Sequence, residues 1–488
     1  MHQSSSSRPP LTFSTNILYG VGSVAFGVHQ ALNSGLMLFF NQVVGLPAAW
    51  VGATMMGTLI FDAICDPLIG EISDNTRSRW GRRHPFMYAS AVPAAVAFYF
   101  LLNPPVGWSQ VHLLIYMAAM LMTVRMLLSL YEVPSSALGP ELTLDYDQRT
   151  SLMSSRFFFG TLGGAGMSIF ALQVFLRKDA THPLGLLNRA GYSQTALAAG
   201  IAIFFSILIS SVGTHRFITS LVYAPKVRGS WREKLREVEV TLANRSFLAL
   251  AIAGIVGAVS NGLEQGLDFY ISAYFWELTP AQMSYMAAAS LLAAFTGVLL
   301  ARMISARFGK KPAMIAVFFA SLLSGIVPIT MRLAGLGPAN GTRALLAMVI
   351  SFGFISTTLA TGGLIIASSM MADVVEDAAV STGQRSEGLL FAANGLISKC
   401  VMGVGTFFSG LVLAWVSFPQ QATPGRVDPA TLHHLGMVFV PITVSFAAIA
   451  ISILMFYDID RSRHQRNLEL LRGASEPDSE ESRKTASA

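Results

Sequence analysis

An all-α polytopic membrane protein, with twelve transmembrane helices in two six-helix bundles, is predicted by three observations. Of the 488 residues, 53% are hydrophobic and only 12% charged, and the mean hydropathy is +0.54; soluble domains carry about a quarter charged residues. Apolar runs of the roughly twenty residues that cross a bilayer recur twelve times. The loops between them alternate in basic charge, as the two sides of a membrane require.

The runs fall at 16–44, 48–73, 85–103, 110–138, 153–177, 195–222, 246–276, 281–305, 312–333, 343–371, 387–418 and 432–457. Several exceed a perpendicular crossing, which tilt absorbs. One set of loops carries Arg77, Arg79, Arg82 and Arg83, then Arg149, then the cluster Lys226–Arg245, then Arg302, Arg307, Lys310 and Lys311, then Arg385. The other set is uncharged at 41–47, 103–108 and 276–282 apart from Glu277, and otherwise holds Arg177, Lys178, Arg189, Arg332, Arg343 and Arg426. The positive-inside rule puts the first set and both termini in the cytoplasm. The net charge of +6 thus reflects membrane topology rather than a nucleic-acid surface. Cys65 and Cys400 both lie in apolar segments, so no disulfide framework is expected. The Ser-rich start lacks a signal-peptide pattern, and the first helix is expected to direct insertion.

An internal repeat divides the chain. Arg79-Trp-Gly81-Arg82-Arg83-His-Pro85 recurs as Arg307-Phe-Gly309-Lys310-Lys311-Pro312, each after the second helix of its half. Gln148-Arg149 before the fifth run is echoed by Gln384-Arg385 before the eleventh at a nearly equal offset. The expected organisation is a cytoplasmic tail (1–15), a first bundle (16–224), a connecting loop (225–245) with a charged surface helix from Trp231, a second bundle (246–458) and a disordered acidic tail (459–488). Two six-helix halves in parallel repetition describe the major facilitator fold, which holds its substrate between the halves near the midplane.

The copies differ in their acids. Asp62 and Asp66 sit one turn apart on one face of the second helix, and Asp74 follows at its end. The second copy has no acid before Gly309. A carboxylate at mid-membrane costs at least ~2.5 kcal/mol and marks a partner, a cation or a water-filled path. A shorter helix would leave these acids in the headgroup layer, but Asp74 and the arginines already mark its exit. Lys399 lies too deep in the eleventh run to reach the interface and requires a counter-ion, for which Asp62 or Asp66 across the halves is expected. Arg125 and Glu132, two turns apart, are spaced for a direct pair. Glu264 and Asp268 form a polar patch in the seventh run that faces either the cavity or the outer interface. His29 faces either the cavity or a packing neighbour. Asp74, Arg79, Arg82 and Arg83 are expected to latch the halves at the cytoplasmic side, with Asp373 opposing them. The glycines at 160–166, 403, 405 and 410 fit close helix packing, and Gly163-Gly164 is no nucleotide loop.

Asp62–Pro85, the run Val133-Pro134 to Arg149, and the run Met371-Ala-Asp373 to Glu387-Gly388 resemble the glycoside–pentoside–hexuronide:cation symporters, the melibiose permease-like group. The resemblance covers nearly the whole chain. It implies cation binding at Asp62 and Asp66, a liganding hydroxyl at Ser129, an acid at Glu132, a linked Lys399, and Arg156 in the sugar pocket. Cys65 stands where that group has Asn; a thiol suits a hard cation poorly, which turns the expectation from Na⁺ toward H⁺. The Lys-Asp pair of the sugar binders is replaced by Val24-Ala-Phe-Gly-Val-His29-Gln30, and the stacking aromatic of the fourth helix by Ser136.

The expected function is cation-coupled (H⁺ or Na⁺) symport of a glycoside or other small organic solute by alternating access in the plasma or bacterial inner membrane. A lysophospholipid or amphiphile symporter, an H⁺-driven exporter and a receptor that has lost transport stay open. The cation-binding candidates are Asp62, Asp66, Cys65, Ser129, Glu132 and Lys399; the substrate-binding candidates are Arg156, Glu132, Ser136, His29, Glu264 and Asp268. No nucleophile, metal cluster or cofactor loop points to an enzyme. The expected partners are the solute, a monovalent cation and the bilayer, with no cofactor, no nucleic acid and a monomeric chain.

Overall fold

The computed structural model describes residues 12–143, 145–178, 185–218, 245–382 and 387–459, with 463, 465 and 466. Among these it is helical, without a strand. Eleven helices are long and apolar enough to cross a bilayer. They are span 2 (Ala48–Asn75), span 3 (His84–Leu101), span 4 (Gln110–Leu142), span 5 (Tyr146–Phe170), span 6 (Arg189–His215), span 7 (Arg245–Tyr270), span 8 (Pro280–Phe308), span 9 (Lys310–Leu333), span 10 (Arg343–Thr382), span 11 (Glu387–Trp415) and span 12 (Pro429–Leu454). Span 1 is the twelfth crossing, broken into Phe13–Val21, Ser23–Asn33 and Leu36–Leu38 before a wide π turn at Phe39–Val43.

Span 1 breaks where its surroundings leave no room. At Gly22 an added Cβ would lie 1.5 Å from the Tyr131 hydroxyl, so only glycine lets span 1 pass span 4 there. The π turn recurs at Ile271–Phe275, the end of span 7, which is the counterpart of span 1 in the second half. Spans 1 and 7 share this backbone detail, whereas the π turn Ala171–Phe175 after span 5 has no counterpart at the end of span 11.

The halves meet along span 2 against span 11, span 5 against span 8, and the end of span 1 against span 7. Span 11 is wedged between spans 2 and 7. Its glycines permit this: a Cβ at Gly405 would come within 2.1 Å of the Val259 carbonyl oxygen, and one at Gly410 within 2.4 Å of that of Ala48. Span 1 and span 5 approach equally closely, with a Cβ at Gly27 placed 1.9 Å from the Gly160 carbonyl. Without water to drive helices together, such backbone contact supplies the dispersion that holds membrane bundles.

Several span limits differ from expectation, among them the ends of spans 6 and 10. Span 6 ends at His215, although the apolar run continues to 222; Phe217 is still buried, but as packing beyond the helix end. Span 10 runs on to Thr382, well past 371. Hydropathy marks where lipid ends, whereas a helix continues as long as its backbone is bonded. The connecting loop with its surface helix from Trp231, most of the two tails, and Gln384-Arg385 lie outside the described residues.

Candidate functional site

The mid-membrane acids gather around one lysine. Asp62 accepts a hydrogen bond from Ser129 Oγ at 3.1 Å through Oδ1 and one from Lys399 Nζ at 3.0 Å through Oδ2. Lys399 Nζ also donates to Asp66 Oδ2. Arg125 lies 3.8 Å from Asp62 Oδ2 and donates to Asn33 Oδ1 at 3.1 Å. Spans 1, 2 and 4 of the first half thus surround a base from span 11 of the second. Asp62 and Arg125 are sealed, at 6% and 4% exposure, while the side chains of Asp66 and Lys399 keep 25% and 37%. The pair is buried on one side and accessible on the other. Asp66 Oδ1 is buried there without a hydrogen-bond partner.

Arg125 therefore pairs with Asp62 and not with Glu132, as their spacing had led us to expect. Glu132 instead pairs with Arg156, whose Nη1 donates to Ser135 Oγ at 2.7 Å and whose guanidinium lies 5.3 Å from the Tyr19 ring. With three neighbours engaged and 8% exposure, Arg156 is enclosed among spans 1, 4 and 5 rather than offered to a solute. Ser136 is exposed and bonds its own helix at the Val133 carbonyl. Cys65 is a half-buried free thiol.

A second polar group lies close by. Gln30 and Ser34 of span 1 face Asn261, Glu264, Gln265 and Asp268 of span 7 across a cavity of 390 Å³ between the halves. This volume falls in the range of about 300–1,000 Å³ usual for small-molecule sites. Glu264 and Asp268 thus line the cavity, not the outer interface. Gln265 Nε2 contacts Met402 Sδ at 4.0 Å, one turn from Lys399, and Ser34 follows Asn33, the partner of Arg125. The cavity and the ion cluster are neighbours through these two contacts. His29 is a correction: it is buried at 5% exposure with its ring edge toward Phe98. Its neighbour Gln30, on the adjoining face of the helix, reaches the cavity instead.

The end of the bundle remote from the Arg77–Arg83 loop is closed by neutral groups. Gln42 Nε2 donates to the Pro419 carbonyl at 3.0 Å, and its Oε1 accepts from the Ala422 N–H at 2.8 Å and the Tyr274 hydroxyl at 3.2 Å. Tyr270 donates to Asn41 Oδ1 at 2.7 Å. Both amides are 2% exposed, and Tyr270, Tyr274 and Phe418 pack ring on ring with centroids 5.0–6.0 Å apart. Sequence reasoning missed this seal. Its one signal was two consecutive amides, Asn41-Gln42, at the end of an apolar run.

At the opposite end the arginines bracket their own half among the described residues. Arg83 bonds Glu141 Oε1 at 2.5 Å and Asp74 at 3.1 Å, Arg82 bonds Glu141, and Arg79 lies over Trp80 at 5.6 Å. All of these partners belong to the first half. Asp373 is held by Lys310 at 2.6 Å within the second half. Glu141 was not singled out because it follows Pro140 in a stretch that reads as a loop; the helix in fact continues through both prolines to Leu142.

Residues 18–461 match the profile of the family described as MFS/sugar transport protein. The putative glycoside/cation symporter YagG of Escherichia coli is 25% identical, over 91% of this chain and 92% of its own. The isoprimeverose transporter of Lactiplantibacillus pentosus is 25% identical, over 87% and 84%. Among solved structures, the inward open xylose transporter XylE from E. coli superposes with a TM-score of 0.59 at 15% identity, covering 94% of this chain and 99% of that one. A bacterial homolog of the lysosomal transporter Spinster, in an inward-facing conformation, gives 0.62 at 13% identity, over 94% and 96%. The chain belongs to the MFS/sugar transport protein family, the glycoside–pentoside–hexuronide symporter type of the major facilitator superfamily, and is a multi-pass membrane transporter rather than an enzyme.

Proposed function

We propose that this chain couples entry of a proton at the Asp62/Asp66 cluster to transport of a glycoside or related polyhydroxylated solute through the cavity between spans 1 and 7. One observation carries the reading: Lys399 of the second half holds Asp62 and Asp66 of the first, one turn from the residue that touches the cavity wall. Two close carboxylates in a low dielectric stay ionised only beside a positive charge. Here Lys399 supplies it and ties the halves together at mid-membrane. A proton arriving on the accessible Asp66 cancels one of the two attractions, loosens Lys399 and lets the halves rock about the tie. Solute and proton then bias the same equilibrium, which is what coupling requires.

The neighbours of the acids favour a proton over Na⁺. Ser129, Arg125 and Lys399 present donors to the carboxylates, whereas a hard cation needs a shell of oxygen acceptors. The polar lining of the cavity supports a glycoside over an amphiphile, for which an apolar cavity would be required. The names of the relatives, a glycoside/cation symporter and an isoprimeverose transporter, agree. The basic loops favour a cytoplasmic position for the Arg77–Arg83 end, so that the end sealed by Gln42 faces outward.

Purified protein in proteoliposomes tests this. With isoprimeverose as probe, a pH gradient, interior alkaline, is expected to drive accumulation above equilibrium while a Na⁺ gradient does not. Accumulation driven by Na⁺ alone would overturn the proton assignment, and equilibration without accumulation under either gradient would overturn coupling.

A further inference from the structure

The charges of the membrane core do not balance, and the excess sits on the cavity wall. Arg125 and Lys399 face Asp62 and Asp66, and Arg156 faces Glu132. Each of these three bases is already engaged. Glu264 and Asp268 are left over. Among the described residues Glu264 accepts from Ser260 Oγ alone, at 3.0 Å, and no basic side chain lies within ion-pair distance of either carboxylate. The other four lining residues, Gln30, Ser34, Asn261 and Gln265, are neutral.

Two uncompensated carboxylates one helical turn apart repel each other. The cavity is therefore complementary to a ligand that brings positive charge. It has no base to receive a carboxylate or a sulfonate. The amides and the serine hydroxyl, with both donors and acceptors, match a ring of hydroxyl groups.

We propose that the preferred solute is a polyhydroxylated ammonium compound, of the amino-sugar type, whose ammonium seats between Glu264 and Asp268. The inference rests on the cavity being the solute site and adds the charge of the solute. It sets this chain apart from relatives whose names specify anions, such as the glucuronide carrier protein homolog of E. coli, 21% identical over 92% of this chain. A free cation at the same carboxylates is the competing source of positive charge, and the test separates the two.

Thermal unfolding of the purified full chain reads binding, at mildly acidic pH, with the methyl glycosides of glucosamine, N-acetylglucosamine and glucuronate, each in potassium and in sodium buffer. The glucosamine form is expected to half-saturate the stabilisation at a concentration about tenfold lower than the N-acetyl form, with no response to glucuronate and none to the change of salt. Glu264→Gln with Asp268→Asn is expected to abolish the preference for the amine while the neutral glycoside still binds. Equal response to amine and N-acetyl sugars, or a stronger one to glucuronate, overturns the charge assignment and leaves the cavity as solute site. Stabilisation by Na⁺ alone that the double variant loses makes the pair an ion site and also overturns it. If Gln30→Ala and Asn261→Ala leave every response unchanged, the cavity itself is not the solute site and both readings fall.

Discussion

The two halves share their scaffold and differ in their chemistry. At the loop end, Arg82 and Arg83 hold Glu141 at the close of span 4, and at the matching position of the second half Lys310 holds Asp373 in span 10. Spans 1 and 7 likewise both end in a π turn. At mid-membrane the symmetry stops. The acids of the first half, Asp62, Asp66 and Glu132, are all paired, whereas Glu264 and Asp268 of the second face a cavity, and Lys399 serves the other half. The repeat preserved what keeps each bundle rigid. What diverged is the mid-membrane charge, paired in the first half and facing a cavity in the second.

The largest break in this comparison comes from Lys399→Met. It leaves Asp62 and Asp66 without their shared base, and breaking such a pair costs about 3–5 kcal/mol; the exposed side of Lys399 places the loss at the low end. Uptake is expected to fall to background and the unfolding temperature to drop, both measured on the purified variant. An unchanged melting curve would show that the tie contributes no stability. Next is Gln42→Leu, which strands the Ala422 N–H and the Pro419 carbonyl in a buried seal, while the Tyr274 hydroxyl keeps its bond to the Ala422 carbonyl. Stranded groups cost about 1–3 kcal/mol each, partly recovered by water. The equilibrium is expected to shift toward opening at that end, so that a cysteine placed at Phe418 in a Cys65→Ala, Cys400→Ala background becomes reactive to a membrane-impermeant thiol reagent. Unchanged protection would place the seal elsewhere.

The scaffold brackets sharpen the comparison of halves. Glu141→Gln releases Arg82 and Arg83, and Asp373→Asn weakens the hold on Lys310, so destabilisations of about 2 and about 1 kcal/mol are expected in chemical unfolding. The reverse order would mean that the bracket of the second half bears more strain than its contacts show. The smallest effect belongs to Cys65→Ala. The thiol forms no hydrogen bond with the carboxylates, so stability within about 0.5 kcal/mol of wild type and an unaltered uptake rate are expected. A marked loss of uptake would return Cys65 to the ion site.

Much of this was legible in the sequence because lipid makes buried charge expensive. Asp62, Asp66 and Lys399 stand out in apolar runs, and only a mutual partnership makes all three tolerable; the structure brings them together. The twelve crossings follow from the same cost. Partner choice within a crowded half was not legible. Arg125 has acids available on two spans, and the packing of Asn33 and Asp62 around it, not its spacing from Glu132, decides the pairing. Nor does sequence say which of two adjacent polar residues faces a cavity: His29 and Gln30 differ by one helical step, and the step buries one against Phe98 and opens the other. Neutral seals such as Asn41 and Gln42 escape notice because amides at the end of a span look like loop.

The account turns on Asp66 as the carboxylate whose charge is switched by the coupling ion. Asp66→Asn in proteoliposomes, measured both for gradient-driven accumulation and for solute exchange at equal concentrations on the two sides, tests it most directly. Accumulation is expected to vanish while exchange persists, since the neutral side chain mimics the protonated, mobile state. Accumulation at the wild-type level would contradict the account.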